Sequence, residues 1–241
     1  MKKEYINFFS IYKIFLETDA YQSLIKGRNR NLLLLFYENF TDIIFDKYNK
    51  NNFKKLASDI KKYSELEKIS IFNNVTFAEH LENRLKEDIK IAFNLFYNSI
   101  ILYNIHKDKL TPKEAKLIVK KQIDDFLDRI ISNEIEYTID YKKNGILYQG
   151  LIEFNNALSH IFNALTKREP ENNFQRAISH LHRGTLDILK TIIKDLILLN
   201  KINHTEIKAL RKNEYLKIGN EEIKRTDIIK NYSDFLKKSL D

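Results

Sequence analysis

Residues 174–196 read FQRAISHLHRGTLDILKTIIKDL, the most regularly patterned segment of the chain. At about 100° per residue, Phe174, Ile178, Leu181, Thr185, Ile188, Ile192 and Leu196 fall on one face of a helix. Arg176, His180, Arg183, Asp187, Lys190 and Lys194 fall on the opposite face. Arg176 to His180, and Arg183 to Asp187, are i,i+4 neighbours whose side chains can touch. A long apolar stripe must pack against another apolar surface, so this helix, expected over about 172–200, implies a helical bundle.

The segment before it carries the matching pattern. Phe154, Leu158, Ile161 and Leu165 make an apolar stripe on a helix expected over about 151–167, with Glu153, Asn156, His160 and Asn163 on its far side. Two helices joined by so short a loop usually lie antiparallel, which lets parts of their polar facets frame a shared cleft. The 3.6-residue period recurs through most of the chain. Helices are expected over 2–26 (one or two), 32–48, 53–66, 77–105, 112–132, 205–217 and 221–239. Thr76-Phe77-Ala78-Glu79 and Thr111-Pro112-Lys113-Glu114 fit the capping box, the second better because Pro at the first helical position lacks an amide that has no helical partner there.

One stretch departs from the period. Ile135, Tyr137, Ile139 and Tyr141 alternate with polar residues, and Asn144-Gly145 precedes Ile146-Leu147-Tyr148. Alternation around an Asn-Gly pair signals a small β-hairpin near 135–148, which must pack on helices because an isolated hairpin is marginal in water. The expected fold is therefore all-α, a helical bundle with that one hairpin. Its parts are an N-terminal helical region, 1–134, and a hairpin with C-terminal bundle, 135–241, which can pack as one domain.

Composition narrows the function classes. Two hundred and forty-one residues can bury a core without staples, and 43% hydrophobic with 31% charged residues is the balance of a folded globular chain. Five Gly and two Pro argue against many-stranded sandwiches and Gly-rich phosphate loops. The absence of Cys removes disulfides, thiolate metal sites and cysteine nucleophiles. Net charge is +8, and the two halves divided at residue 135 carry +4 each, from 23 Lys and Arg against 19 Asp and Glu and from 18 against 14. That balance permits contact with nucleic acid without naming it. No signal-peptide pattern follows the N-terminal Met1-Lys2-Lys3, and the longest charge-free stretch, Ile91 to Ile105, is too short and too polar to span a bilayer. A cytoplasmic protein with no membrane partner is expected.

Four of the six histidines, His160, His180, His182 and His204, lie within 45 residues of one another. Asn156-Ala157-Leu158-Ser159-His160, followed by Arg176-Ala177-Ile178-Ser179-His180-Leu181-His182-Arg183 and Asp187, resembles helical proteins of the HEPN superfamily over about 151–200. Members of that superfamily are small α-helical domains common in bacterial toxin–antitoxin and phage-defence systems, many of them metal-independent RNases. Their signature is an Arg, four to six intervening residues and a His, usually with a polar residue after the Arg. Arg176 and His182 meet the spacing with five between, while Ala177 replaces the polar residue and about 59 residues follow His182. The resemblance implies RNA cleavage by the 2′-hydroxyl without cofactor, with His182 exchanging the proton, Arg176 holding the phosphate and a homodimer completing the site. His180, Arg183, Asp187, His160 and Asn156 are the accompanying binding candidates.

Other readings stand beside it. The same polar groups can form a satisfied network that fixes which helix faces which. The chain can be a non-enzymatic scaffold or adaptor that oligomerises or holds a partner protein, or a nucleic-acid-binding accessory subunit without catalysis. A metal site is not expected: His180 and His182 point to different sides of a helix, and no His-Glu-x-x-His run exists.

Overall fold

The computed structural model describes residues 2–26, 29–65, 83–127, 147–166, 170–217 and 224–240. Among these the chain is all-α, with nine α-helices and no strand. They are α1 (Lys2–Lys26), α2 (Arg30–Ile44), α3 (Lys50–Ser64), α4 (Lys90–Asp108) entered through a π turn (Leu85–Ile89), α5 (Pro112–Leu127), α6 (Tyr148–Thr166), α7 (Pro170–Leu198), α8 (His204–Lys217) and α9 (Arg225–Leu240). The hairpin expected near 135–148 lies outside the described residues except at its end, where Tyr148 is the first residue of α6 rather than part of a strand. The capping box expected at Thr76 also lies outside them.

Helix starts follow their local chemistry. Asn29 caps α2 by accepting from the Leu32 amide at 3.2 Å, and Asn49 caps α3 by accepting from Asn51 at 2.9 Å and Asn52 at 3.3 Å. At α5 the reciprocal box forms: the Thr111 amide donates to Glu114 Oε2 at 2.8 Å and the Glu114 amide to Thr111 Oγ1 at 3.3 Å. Lys201 adds an ion pair to Glu114 at 2.7 Å.

The helices divide into two units: Met1–Phe96 with Tyr148–Gly184, and Tyr97–Leu147 with Thr185–Asp241. The expected parts 1–134 and 135–241 do not map one to one onto them, because α6 and the start of α7 belong with α1, α2 and α3. In the first unit, α2 packs on α1, α3 and α6, and α1 packs on α3. The reason is aromatic. Phe8, Phe9, Tyr12, Phe15, Phe36, Phe40, Phe93, Phe96 and Phe154 are all fully buried. They meet edge-on or tilted, as in Phe8 with Phe36 at 5.7 Å and Phe40 with Phe93 at 5.2 Å, while Phe96 stacks on Phe154 at 6.1 Å. Each such ring contributes roughly 1.5–3 kcal/mol on burial. One polar anchor sits among them: the Tyr12 hydroxyl donates to Asn155 Oδ1 at 2.9 Å and meets Ser159 Oγ at 2.8 Å, fixing α1 to α6.

In the second unit, Ile188, Leu189, Ile192 and Leu196 of α7 are buried with Ile229, Tyr232 and Leu236 of α9. One polar pair is enclosed there: His106 Nε2 lies 3.1 Å from Asp195 Oδ2. Glu214 accepts from Tyr232 and Arg211, each at 2.6 Å, and pairs with Lys190. No helix among the described residues is long and apolar enough to cross a membrane.

Two outcomes test this arrangement. Tyr12→Phe leaves the Asn155 side chain without its buried donor, so a loss of about 1–3 kcal/mol is expected in urea unfolding; an unchanged midpoint refutes the anchor. The Lys201 ammonium, the Thr111 amide and the Thr111 hydroxyl together hold the Glu114 carboxyl at about 2, below its ordinary 4.5. A carboxyl lowered by folding stabilises above its unfolded pKa and loses that contribution as pH falls through the folded one. The stability advantage of the native chain over Glu114→Gln is therefore expected at pH 7 and gone near pH 2, and an advantage independent of pH contradicts it.

Candidate functional site

The site lies in the first unit, on the facing sides of α6 and the first half of α7. A spacing of seven residues brings two side chains to nearly the same face of a helix. Glu153 and His160 on α6 are so spaced, and so are Asn173 and His180 on α7. The helices run antiparallel, and the two pairs meet as two rungs. His180 Nδ1 lies 2.6 Å from Glu153 Oε2, and His160 Nδ1 lies 3.1 Å from Asn173 Oδ1. Both acceptor oxygens assign the proton to Nδ1 of each ring.

Between the rungs the helices carry Ala157 and Ala177, both fully buried. Side chains on a helix lean towards its N-terminus. In an antiparallel pair, His160 and His180 therefore lean towards each other, and their rings stack at 5.2 Å with an 18° interplanar angle. Gly184 closes the approach further along α7. A methyl group there would sit 2.8 Å from the Phe96 ring and 3.1 Å from Glu153 Cβ. The glycine thus admits Glu153 against α7, where a larger residue would displace it.

Glu153 is the buried member: its side chain is 6% exposed against 20% for His180. A buried carboxylate is costly unless paired. Here it is faced by the His180 ring and, at 3.8 Å, by the exposed Arg183 guanidinium. Along the outer side of α7, Arg176 and Arg183 stand four residues before and three after His180, so both are its helical neighbours. Arg176 is exposed and makes no hydrogen bond or ion pair among the described residues. The arrangement offers an imidazole backed by a carboxylate and flanked by two cations, which suits proton transfer beside a bound anion.

The other expected residues take different places. Arg176 and His182 are six residues apart, about 120° around α7, so they do not share a face. His182 is half-buried and has partners of its own. Asn156 is half-buried, one turn from Glu153, and is not hydrogen-bonded among the described residues. Asp187 lies in the second unit, where its carbonyl accepts from Thr191. Sequence reasoning placed Glu153 in the polar cluster without giving it a role and passed over Asn173. The sevenfold spacing to His160 and His180 was the available signal for both. No group of three or more His, Cys, Asp or Glu among the described residues is placed to hold a metal ion.

No protein-family model, curated protein or solved structure matches the chain.

Gly184→Ala tests the close approach. The extra methyl gains about 1 kcal/mol of helix propensity, against an overpacking cost of about 1–3 kcal/mol where a buried ring must yield. A net loss of about 1 kcal/mol is expected in chemical unfolding; a stabilised variant shows that the helices have room to spare.

Proposed function

We propose that this chain is a HEPN-like helical protein of a bacterial defence or toxin–antitoxin type that acts on RNA, cutting it through the 2′-hydroxyl without a metal ion. The observation that carries the reading is the 2.6 Å contact between the buried Glu153 carboxylate and His180 Nδ1. It fixes the ring and leaves Nε2 as the atom at which a proton is exchanged, and it stabilises the imidazolium formed in the exchange. Arg176 and Arg183, flanking His180, supply donors for a phosphate and for charge developing on it. The HEPN resemblance implies proton transfer by His182; the carboxylate contact supports His180 in that role instead.

The protein, incubated with single-stranded RNA in EDTA, is expected to yield 2′,3′-cyclic phosphate and 5′-hydroxyl ends. His180→Ala should lower the rate about 10²- to 10⁴-fold, with Glu153→Gln following it in direction and Arg176→Ala and Arg183→Ala weakening RNA binding. Activity that survives His180→Ala but not His182→Ala moves the role to the resemblance's histidine. RNA left intact by the native protein removes the proposal.

A second reading is favoured by one observation. Ile101 and Ile105 on α4 are each 40% exposed and one turn apart, the kind of surface a scaffold uses to hold a partner protein. A chain that leaves RNA uncut but forms an oligomer disrupted by Ile101→Asp or Ile105→Asp is that scaffold.

A further inference from the structure

We infer that His160 is the second proton-transfer group of the site, paired with His180 as base to its acid. This rests on the RNA-directed reading and deepens it.

Cleavage by the 2′-hydroxyl needs two proton movements. A base removes the proton from the 2′-oxygen as that oxygen bonds to phosphorus, and an acid gives one to the 5′-oxygen as its bond to phosphorus breaks. A lone imidazole must perform both in turn. The α6–α7 pair holds two, their rings stacked at 5.2 Å and 18°. Each has its Nδ1 engaged by a side-chain oxygen, from Glu153 for His180 and from Asn173 for His160. Neither ring has an Nε2 partner among the described residues, so both present that nitrogen to a substrate.

Their supports differ in charge, and this divides the labour. His180 faces the Glu153 carboxylate at 2.6 Å, and Arg183, 3.8 Å from the same carboxylate, is the other charged group there. His160 faces the neutral Asn173 amide and stacks on the other imidazole. In the forward step the 2′-OH proton passes to His160 Nε2 and the His180 Nε2 proton passes to the departing 5′-oxygen. The products are a 2′,3′-cyclic phosphate and a 5′-hydroxyl. His160 is left carrying the proton from the 2′-hydroxyl and His180 without its Nε2 proton, and exchange with water restores the starting state of both. No oxidant, metal or further reactant is required.

Two measurements test the inference. In the first, cleavage of single-stranded RNA in EDTA is followed across pH 4–9 for the native protein, His160→Ala and His160→Gln. The native profile is expected to be bell-shaped. Both variants should lose about 10²-fold or more in rate and one limb of the bell, with RNA affinity in the native range. A native protein that cuts RNA, with His160 variants that keep its rate and its bell, overturns the inference and leaves the proposed function standing. A native protein that cuts no RNA overturns both. The second measurement needs no activity: the ¹⁵N chemical shifts of the two imidazoles in the folded protein at pH 8 report which nitrogen carries the proton. Nδ1-protonated rings at both positions are expected. An Nε2-protonated His160 overturns the inference even where a His160 variant fails to fold.

Discussion

A carboxylate that is nearly dry has to be answered, and the approach of α6 to α7 is organised around that requirement. Glu153 is 6% exposed. Removing such a charge from water is tolerated only with a good partner geometry. The chain makes room for it with Gly184, where an added methyl would sit 3.1 Å from Glu153 Cβ. The helices then lie close enough for an imidazole nitrogen to reach the carboxylate at 2.6 Å. The same closeness brings His160 against His180.

The rest of the first unit holds this pair in place from behind. The inner face of α6 carries Phe154, which stacks on Phe96. Asn155, next along the helix, is bonded to Tyr12 of α1. The two residues that follow Glu153 are therefore committed to the core, while its carboxylate faces α7. Rotation of α6 about its axis would expose Phe154 and strand the Tyr12 hydroxyl, so the core sets the orientation of the site. Nε2 of each ring has no partner among the described residues, and the exposed Arg176 and Arg183 lie beside His180 on α7.

Much of this was legible in the chain. Apolar residues three and four apart mark α2, α6 and α7 because an amphipathic helix writes its period directly. Thr111 and Glu114 announced the start of α5 because capping is a local matter of amides and side-chain oxygens. The histidine cluster was visible by count. What stayed hidden depends on contacts distant in sequence. Glu153 looks like a solvent-facing charge on its own helix, and only the antiparallel register with α7 buries it. Tyr12 and Asn155 are 143 residues apart, which no local pattern can join. For the same reason no local pattern shows that α6 rejoins the aromatic core begun by α1. Tyr148, read as the end of a strand from its neighbours Ile146 and Leu147, instead opens a helix, because the amphipathic period that follows it outweighs a short apolar run.

The pairing of Glu153 with His180 is the point on which the site stands, and a double-mutant cycle in unfolding free energy addresses it directly. Glu153→Gln, His180→Gln and the double variant are compared with the native chain at pH 6.5. Contacting groups in one network are expected to be coupled by about 0.5–3 kcal/mol, the second substitution costing less once the first is made. Strictly additive losses would mean that the carboxylate and the imidazole do not depend on each other, and the site described here would not exist.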